Sequence, residues 1–300
     1  MLLTKKKVLT EANGGATAKY MVDAIIDARH EPIGCDINQN TICSALGFDS
    51  FIVPKAIHES FWETMPLLIK KHKITDVIPT LDETLLGWST RKEYFKSVGC
   101  LIHISPPKTL EIFLDKWKTF NFFKKNEFPT PNTSLENIFP LTKPRNGRGA
   151  VGIELNNVDR EMIGLISQEV CSGQELTIDV FVYNNKPLYI VPRSRDQVVN
   201  GKSTVSSVLK HDKIEQYIYK LCEKIQFSGA FNIQCFLNGN DIKFTELNPR
   251  FGGGTALAFT ATENWIEVLL NGLSDSWMPK DVDYGLKMTR FYNDYFSRLV

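Results

Sequence analysis

Over the first hundred residues, short apolar runs alternate with segments long enough for helices, the rhythm of a parallel sheet with crossover helices. Residues 7–12 (KVLTEA) read as a first strand, residues 13–17 (NGGAT) as a tight turn and residues 18–28 as a helix. EPIGCDIN (31–38) supplies a second strand, FIVP (51–54) a third and ITDVIPT (74–80) a fourth, with a helix over 59–72. GCLIHIS (99–105) reads as a fifth strand. Pro106 and Pro107 then stop any continuing ladder, because proline has no N–H to donate. This predicts an N-terminal domain over residues 1–107 and a second over 108–300.

Beyond that point the period changes. Residues 110–126 are helical in pattern, and the prolines of FPTPNT (128–133) end that helix. The chain then turns β-rich. FPLTKP (139–144), GIEL (152–155), ISQEV (166–170), LTIDVFV (176–182) and PLYIVPR (187–193) alternate or run apolar, joined by the turn-like NGRGAVG, SGQ and YNNK. A helix near 213–225 leads into AFNIQCFL (230–237) and IKFTELN (242–248), linked by the turn Asn238-Gly239-Asn240-Asp241. The predicted class is therefore α/β followed by α+β: a Rossmann-like domain and then a mixed region.

The last pair of strands carries the most chemistry. Residues two apart on a strand face one side, so Asn232 and Gln234 share a face, as do Glu246, Asn248 and Arg250 if the strand stays extended that far. Mg²⁺ takes hard oxygen ligands and is held by few protein groups, with phosphates and waters completing its shell. Gln234, Glu246 and Asn248 meet that demand, and Arg250 supplies a permanently charged fork for phosphate oxygens. Upstream, Lys143 ends a strand and is followed by a glycine-bearing loop, the kind of hairpin whose backbone N–H groups can fold around a phosphate. It is not a Walker loop, since the G-x-x-x-x-G-K-[ST] order is absent.

The run N-I-Q followed by E-L-N-P-R resembles the metal- and phosphate-binding strands of the ATP-grasp superfamily, especially the synthetase unit of the carbamoyl-phosphate synthase large subunit and its stand-alone carboxylate–amine ligase relatives. The resemblance implies a pre-ATP-grasp domain, then an ATP-grasp fold with a small lid subdomain over about 120–183 and a catalytic subdomain over about 184–300. It implies ATP and Mg²⁺ as cofactors, with Mn²⁺ as an alternative metal. Gln234, Glu246 and Asn248 would hold the metal, Asn232 would support them, and Arg250 would contact the transferred phosphate. Lys143 would bind phosphate beneath a closing loop of Gly147, Gly149 and Gly152, although Arg148 and Ala150 depart from the more glycine-rich versions. Main-chain groups of Glu169, Val170 and Cys171 would read the adenine edge, and Glu175 the ribose hydroxyls, because a carboxylate accepts two bonds at once. Lys116 would reach the ATP phosphates, and Arg193 would stabilise the acyl phosphate, with Arg195, Lys202 and Ser203 nearby. The implied reaction is activation of a small-molecule carboxylate as an acyl phosphate for attack by an amine, releasing ADP and phosphate. Bicarbonate or carbamate is the alternative substrate within the same resemblance.

Composition narrows the setting. A chain that is 43% hydrophobic and 23% charged, with formal net charge +1, is globular and offers no broad footprint for nucleic acid or an anionic membrane. Six scattered cysteines without C-x-x-C spacing read as reduced core thiols. The opening MLLTKKK reverses a signal peptide's order, and no apolar run reaches the roughly 20 residues of a membrane helix, so the expected location is the cytoplasm. The expected partners are small molecules, with a homodimer left open. Two readings from other classes stay open. Asp36, about 20 positions beyond the glycine turn, suggests a nicotinamide-dependent oxidoreductase, but NGGAT lacks the G-x-G-x-x-G order. A nucleotide-binding module without catalysis would keep the same strands. Thr80, Asp82 and Glu83, after the fourth strand, either face a ligand or cap the next helix.

Overall fold

The apolar pair Val8 and Leu9 lies in the central strand of a five-stranded parallel sheet in the computed structural model, which describes residues 4–15, 18–157, 159–199, 201–291 and 293–296. The chain divides into two compact units, one built mainly from residues up to Ile104 with Thr262–Lys280, the other from Ser105–Ala261 with Asp281–Arg290.

In the first unit the order of elements is β1 (Lys7–Thr10), α1 (Ala18–Asp27), β2 (Glu31–Asp36), α2 (Ile42–Ala45), β3 (Ser50–Ile52), α3 (Ser60–His72), β4 (Asp76–Ile78), α4 (Asp82–Thr90), α5 (Lys92–Ser97) and β5 (Leu101–Ile102). The strands lie in the order β3-β2-β1-β4-β5. Val8, Leu9, Ile33, Val77 and Ile78 are fully buried, as a sheet covered on both faces requires. Three further helices were legible only as connections: α2 lies between β2 and β3, α4 starts after Leu81, and α5 leads into β5. At the end of β1 the Glu11 carboxylate is buried and accepts hydrogen bonds from Trp88 Nε1 (2.9 Å), Thr84 Oγ1 (2.8 Å) and the Thr80 N–H (3.2 Å). Burial pushes its pKa up.

The second unit opens with a difference from the sequence pattern. The single helix expected over 110–126 is two, α6 (Pro107–Phe113) and α7 (Lys116–Lys125). Asp115 is the reason: its carboxylate accepts from the N–H groups of Trp117 and Lys118, capping a new helix, and pairs with Arg145. Pro107 sits in the first turn of α6, where its missing N–H costs nothing. Strands β6 (Thr133–Ser134), β7 (Leu141–Pro144), β8 (Glu154–Leu155) and β9 (Leu165–Gln168) form a small sheet ordered β6-β9-β7-β8. β10 (Gln174–Tyr183) and β11 (Lys186–Ser194) follow, then β12 (Gln197–Val199), β13 (Lys202–Ser207), α8 (Asp212–Lys224), β14 (Gly229–Asn238), β15 (Asp241–Asn248) and α9 (Thr255–Ala261). α10 (Trp265–Asn271) belongs to the first unit, where Asn264 donates to Ala24 O (2.7 Å). β16 (Lys287–Thr289) returns to the second unit to pair with β13.

β10, which the lid expectation took in, hydrogen-bonds instead within a four-stranded antiparallel sheet ordered β11-β10-β14-β15. Its two faces differ sharply. Leu176, Ile178, Val180, Ile233, Cys235, Phe244 and Leu247 point to one side and join Phe113, Phe123, Ile214, Ile218 and Leu221 in the core. Each such side chain contributes about 1.5–3 kcal/mol on burial. The opposite face carries polar residues, and the site is built there. Among the described residues, no helix is long and apolar enough to cross a membrane.

Candidate functional site

The β14–β15 hairpin forms as its turn chemistry dictates: Asn238 pairs with Asp241 across a two-residue loop in which Gly239 takes φ +58°. Down the ladder, Gln234 stands opposite Glu246 and Asn232 opposite Asn248. A bulge at Thr245 makes that register possible, with the pairing shifting between Gln234 and Cys235. The side chains interlock. Asn248 Nδ2 donates to Asn232 Oδ1 (3.2 Å) and to Glu246 Oε1 (3.1 Å), which leaves Asn248 Oδ1 as its ligating end. Among the described residues no group of three or more His, Cys, Asp or Glu gathers into a metal cage. A cation at this face would thus rest on one carboxylate, amide oxygens and a ligand's own oxygens, the donor set that suits Mg²⁺.

Two lysines face this carboxylate. Lys116 Nζ, at the start of α7, lies 3.8 Å from Glu246 Oε2 and donates to Gly147 O (2.9 Å). Lys143, on β7, is only 7% exposed. Desolvation lowers its pKa to about 8, with Lys116 pulling the same way and Glu246 opposing. After β7 the chain turns through Gly147, Gly149 and Gly152 at φ +117°, +69° and +75°, and Ala150 also takes a positive φ of 60°. Alanine therefore adopts the loop geometry that the glycine-richer pattern would provide, at a conformational cost of about 1 kcal/mol.

These pieces surround a cavity of about 380 Å³ within the second unit. Lys116, Lys143, Gly147, Gly149, Glu169, Val170, Cys171, Glu175, Gln234 and Glu246 all line it. The segment 169–171 is held in place by the Glu169 carboxylate, which accepts from Asn132 N–H (2.9 Å) and Asn132 Nδ2 (2.8 Å) and is lowered in pKa by those bonds. Gly173 follows at φ +100°, so close to β14 that a Cβ would stand 2.3 Å from Leu237 O. Glu175 pairs with Arg195 at 2.9 Å. Leu141, Ile153, Phe236 and Thr245 also line the cavity and were not singled out by sequence. Alternation on β7 and β14, two residues from Lys143 and from Gln234, is the signal that contains Leu141 and Phe236.

Four expected residues stand elsewhere. Gly152 packs under Pro144 rather than lining the cavity. Asn248 and Arg250 are also outside the lining. For Arg250 the cause is Pro249, which ends β15 at Asn248, so that Arg250 turns and donates through Nη1 to Phe251 O (3.1 Å). Arg193 is 2% exposed, with Nε bonded to Asp179 Oδ2 at 2.6 Å and Nη1 to Ser203 Oγ at 3.3 Å. Thr255 Oγ1 donates to the same Asp179 (2.9 Å) while accepting from Gly252 N–H (2.9 Å), and Gly254 lies against the guanidinium. This arginine braces the glycine turn that follows β15.

In the first unit, Asp36 is committed to its own loop, accepting from Gly14 N–H (2.9 Å) and Asn38 N–H (3.1 Å). The carboxylate that a nicotinamide reading would reserve for a ribose instead closes the glycine turn. Ala16 and Thr17 of that turn lie outside the described residues. Thr80 is spent on Glu11, donating its hydroxyl to Glu11 O (2.7 Å). Asp82 and Glu83 fall in the first turn of α4, whose cap is Leu81, so Asp82 is not the capping residue. Their negative charge there suits the helix N-terminus.

Comparison with known proteins agrees with this architecture. A family model described as an ATP-grasp in the biosynthetic pathway with Ter operon matches residues 161–291. No curated protein sequence matches the chain. Among solved structures, the biotin carboxylase domain of the Hydrogenobacter thermophilus 2-oxoglutarate carboxylase, in complex with MgADP, ADP and bicarbonate, superposes with a TM-score of 0.71 at 14% identity, covering 95% of this chain and 74% of that one. The N5-carboxyaminoimidazole ribonucleotide synthetase of Thermotoga maritima gives 0.65 at 18% identity over 93% of this chain and 78% of that one. The L-amino acid ligase of Bacillus licheniformis gives 0.67 at 15% identity over 93% and 76%. At such identity the likeness carries the fold.

Proposed function

We propose, from the premise that the chain is an ATP-grasp protein, that it is an ADP-forming ligase that uses Mg²⁺-ATP to activate a small-molecule carboxylate as an acyl phosphate for attack by an amine. One observation carries this reading: a single cavity is lined by Glu246 and Gln234 on one side and by Lys116, Lys143 and a positive-φ glycine loop on the other. Relatives of the fold act on carboxyl chemistry, with a carboxylase bound to MgADP and bicarbonate and an amino acid ligase among them.

Glu246, Gln234 and Asn248 would hold the metal, which would supply positive charge to offset that of the phosphates. The remaining work falls to this chain's side chains. Lys143 and Lys116 bind the phosphates, and the N–H groups of the glycine loop bind the oxygens that the lysines do not reach. The backbone at 169–171 reads the adenine edge and Glu175 the ribose. Phosphoryl transfer asks mainly for positioning and charge neutralisation, so no side chain needs to act as nucleophile. The substrate carboxylate oxygen attacks the terminal phosphorus as the bond to ADP breaks; the amine then displaces phosphate from the acyl carbon.

The test is a screen of carboxylates, bicarbonate included, for ADP release with hydroxylamine present to trap acyl phosphates as hydroxamates. One acid or a small class should give both products, and Glu246→Ala should abolish them. Formation of AMP and pyrophosphate, or a Glu246→Ala variant as active as wild type, would reject the reading.

A further inference from the structure

Lys116 and Lys143 line one cavity but stand on different elements, α7 and β7, and a joint outside the cavity lining ties the two together. Asp115 precedes Lys116, and Arg145 follows Lys143 by two residues. The Asp115 carboxylate accepts from Arg145 through Nε (3.2 Å) and Nη2, a two-pronged grip that a lysine could not make. The same carboxylate caps α7, accepting from the N–H groups of Trp117 (2.9 Å) and Lys118 (3.3 Å). Further hydrogen bonds cross the same gap, from Lys116 N–H to Arg145 O (2.9 Å), from Asn146 Nδ2 to Leu114 O (2.8 Å) and from Lys116 Nζ to Gly147 O (2.9 Å). On its other side Arg145 N–H donates to Gly164 O (2.9 Å), just ahead of β9. The positive-φ loop that begins at Gly147 therefore springs from a pinned root. Desolvation works to raise the pKa of Asp115, but the Arg145 fork and the two N–H groups outweigh it and hold the carboxyl below its usual range, so the clasp is charged at neutral pH.

Capping alone does not require this arrangement, since Asp115 needs no arginine to start a helix. What the fork adds is the tie from helix to strand. A lysine ammonium rides on a flexible four-carbon stem, so its position depends on where its backbone and its hydrogen-bond acceptor are held. For Lys116 both are set by the same short segment: Arg145 O holds the backbone and Gly147 O the ammonium, which stands 3.8 Å from Glu246 Oε2. We infer that Asp115 and Arg145 are positioning residues for phosphoryl transfer, acting chiefly through Lys116: their clasp keeps that ammonium in register with Lys143 and with the root of the glycine loop. The inference rests on the reading of the cavity as the nucleotide's. Because a misplacement of about 1 Å is costly in such chemistry, loosening the clasp should weaken the hold on the phosphates and leave the hold on the nucleoside.

Calorimetric titration of the full chain with adenosine and with a non-hydrolysable ATP analogue plus Mg²⁺ tests it, in wild type, Arg145→Met, Asp115→Asn, Lys116→Met and the double variant Lys116→Met/Arg145→Met. Asp115→Asn keeps an oxygen to cap α7 and loses the charge that Arg145 grips, so it tests the clasp with the helix start retained. Arg145→Met should weaken the analogue at least about tenfold while adenosine stays within about twofold, and Asp115→Asn should move the same way. Acting through Lys116, Arg145→Met should cost at most about threefold more in a chain that already lacks that lysine. Losses that multiply in the double variant overturn the inference. So does adenosine affinity that falls as far as analogue affinity, which is the mark of general structural damage. Equal binding of adenosine and analogue to wild type overturns it together with the nucleotide reading of the cavity. A phosphate preference that depends on Arg145, in a chain that forms no acyl phosphate from any carboxylate, upholds the clasp and removes the ligase reading alone.

Discussion

Replacing Lys143 with methionine should stabilise the protein without nucleotide and abolish the stabilisation that nucleotide brings. The buried ammonium has its pKa lowered from 10.5 to about 8, and each tenfold change in proton affinity is worth about 1.4 kcal/mol, so keeping it charged costs on the order of 3 kcal/mol. The sign follows from linkage. The folded chain binds this proton less tightly than the unfolded one, so the penalty is fully present below pH 8. It is relieved as pH rises from about 8 towards 10.5. Lys143→Met should therefore melt about 5 °C above wild type at pH 7, and the gap should shrink by pH 9.5, as followed by scanning fluorimetry. Nucleotide binding should restore the charge on Lys143 in the wild type, taking up about half a proton at pH 8, which calorimetry in buffers of different ionisation enthalpy reads directly. A variant less stable than wild type by the same margin at every pH, with its nucleotide-induced shift intact, would refute the reasoning.

Three further outcomes follow from the same geometry. Arg193→Met should lower stability by about 3–5 kcal/mol, because it leaves Asp179 buried without its cation; a urea midpoint equal to wild type with turnover alone lost would return Arg193 to the reacting groups. Gly173→Ala should cost at least about 2 kcal/mol, since the new methyl meets Leu237 O and the backbone is held at φ +100°; an unchanged melting temperature would contradict it. Glu175→Gln should weaken ATP by about tenfold and narrow the preference for ATP over its 2′,3′-dideoxy analogue; a preference unchanged in titration would place the ribose elsewhere.

Much of this molecule was legible before its fold was known, and the parts that were not share a physical cause. Alternation identified β14 and β15, because a strand's period of two is set by its own backbone, but not which residues stand opposite: the bulge brings Glu246 rather than Thr245 across from Gln234. The break between α6 and α7 was hidden, because Asp115 looks like any polar helix residue until its carboxylate turns to cap Trp117 and Lys118. Arg250 was expected on the strand face because ELNPR reads as continuous, yet Pro249 ends the ladder one residue earlier. Arg193 posed the deepest difficulty: an arginine in a strand looks the same whether it meets substrate or a buried aspartate, and only the β10–β11 pairing shows Asp179 on the adjoining strand. The pairing of β13 with β16 joins segments far apart in sequence, and no local pattern announces it.

The most direct measurement follows the carboxylate oxygen. Turnover of a substrate labelled with oxygen-18 in its carboxylate, read by phosphorus NMR of the released phosphate, should show one labelled oxygen transferred to phosphate alongside unlabelled ADP. Released phosphate without label, during turnover that depends on that carboxylate, would contradict the acyl-phosphate account.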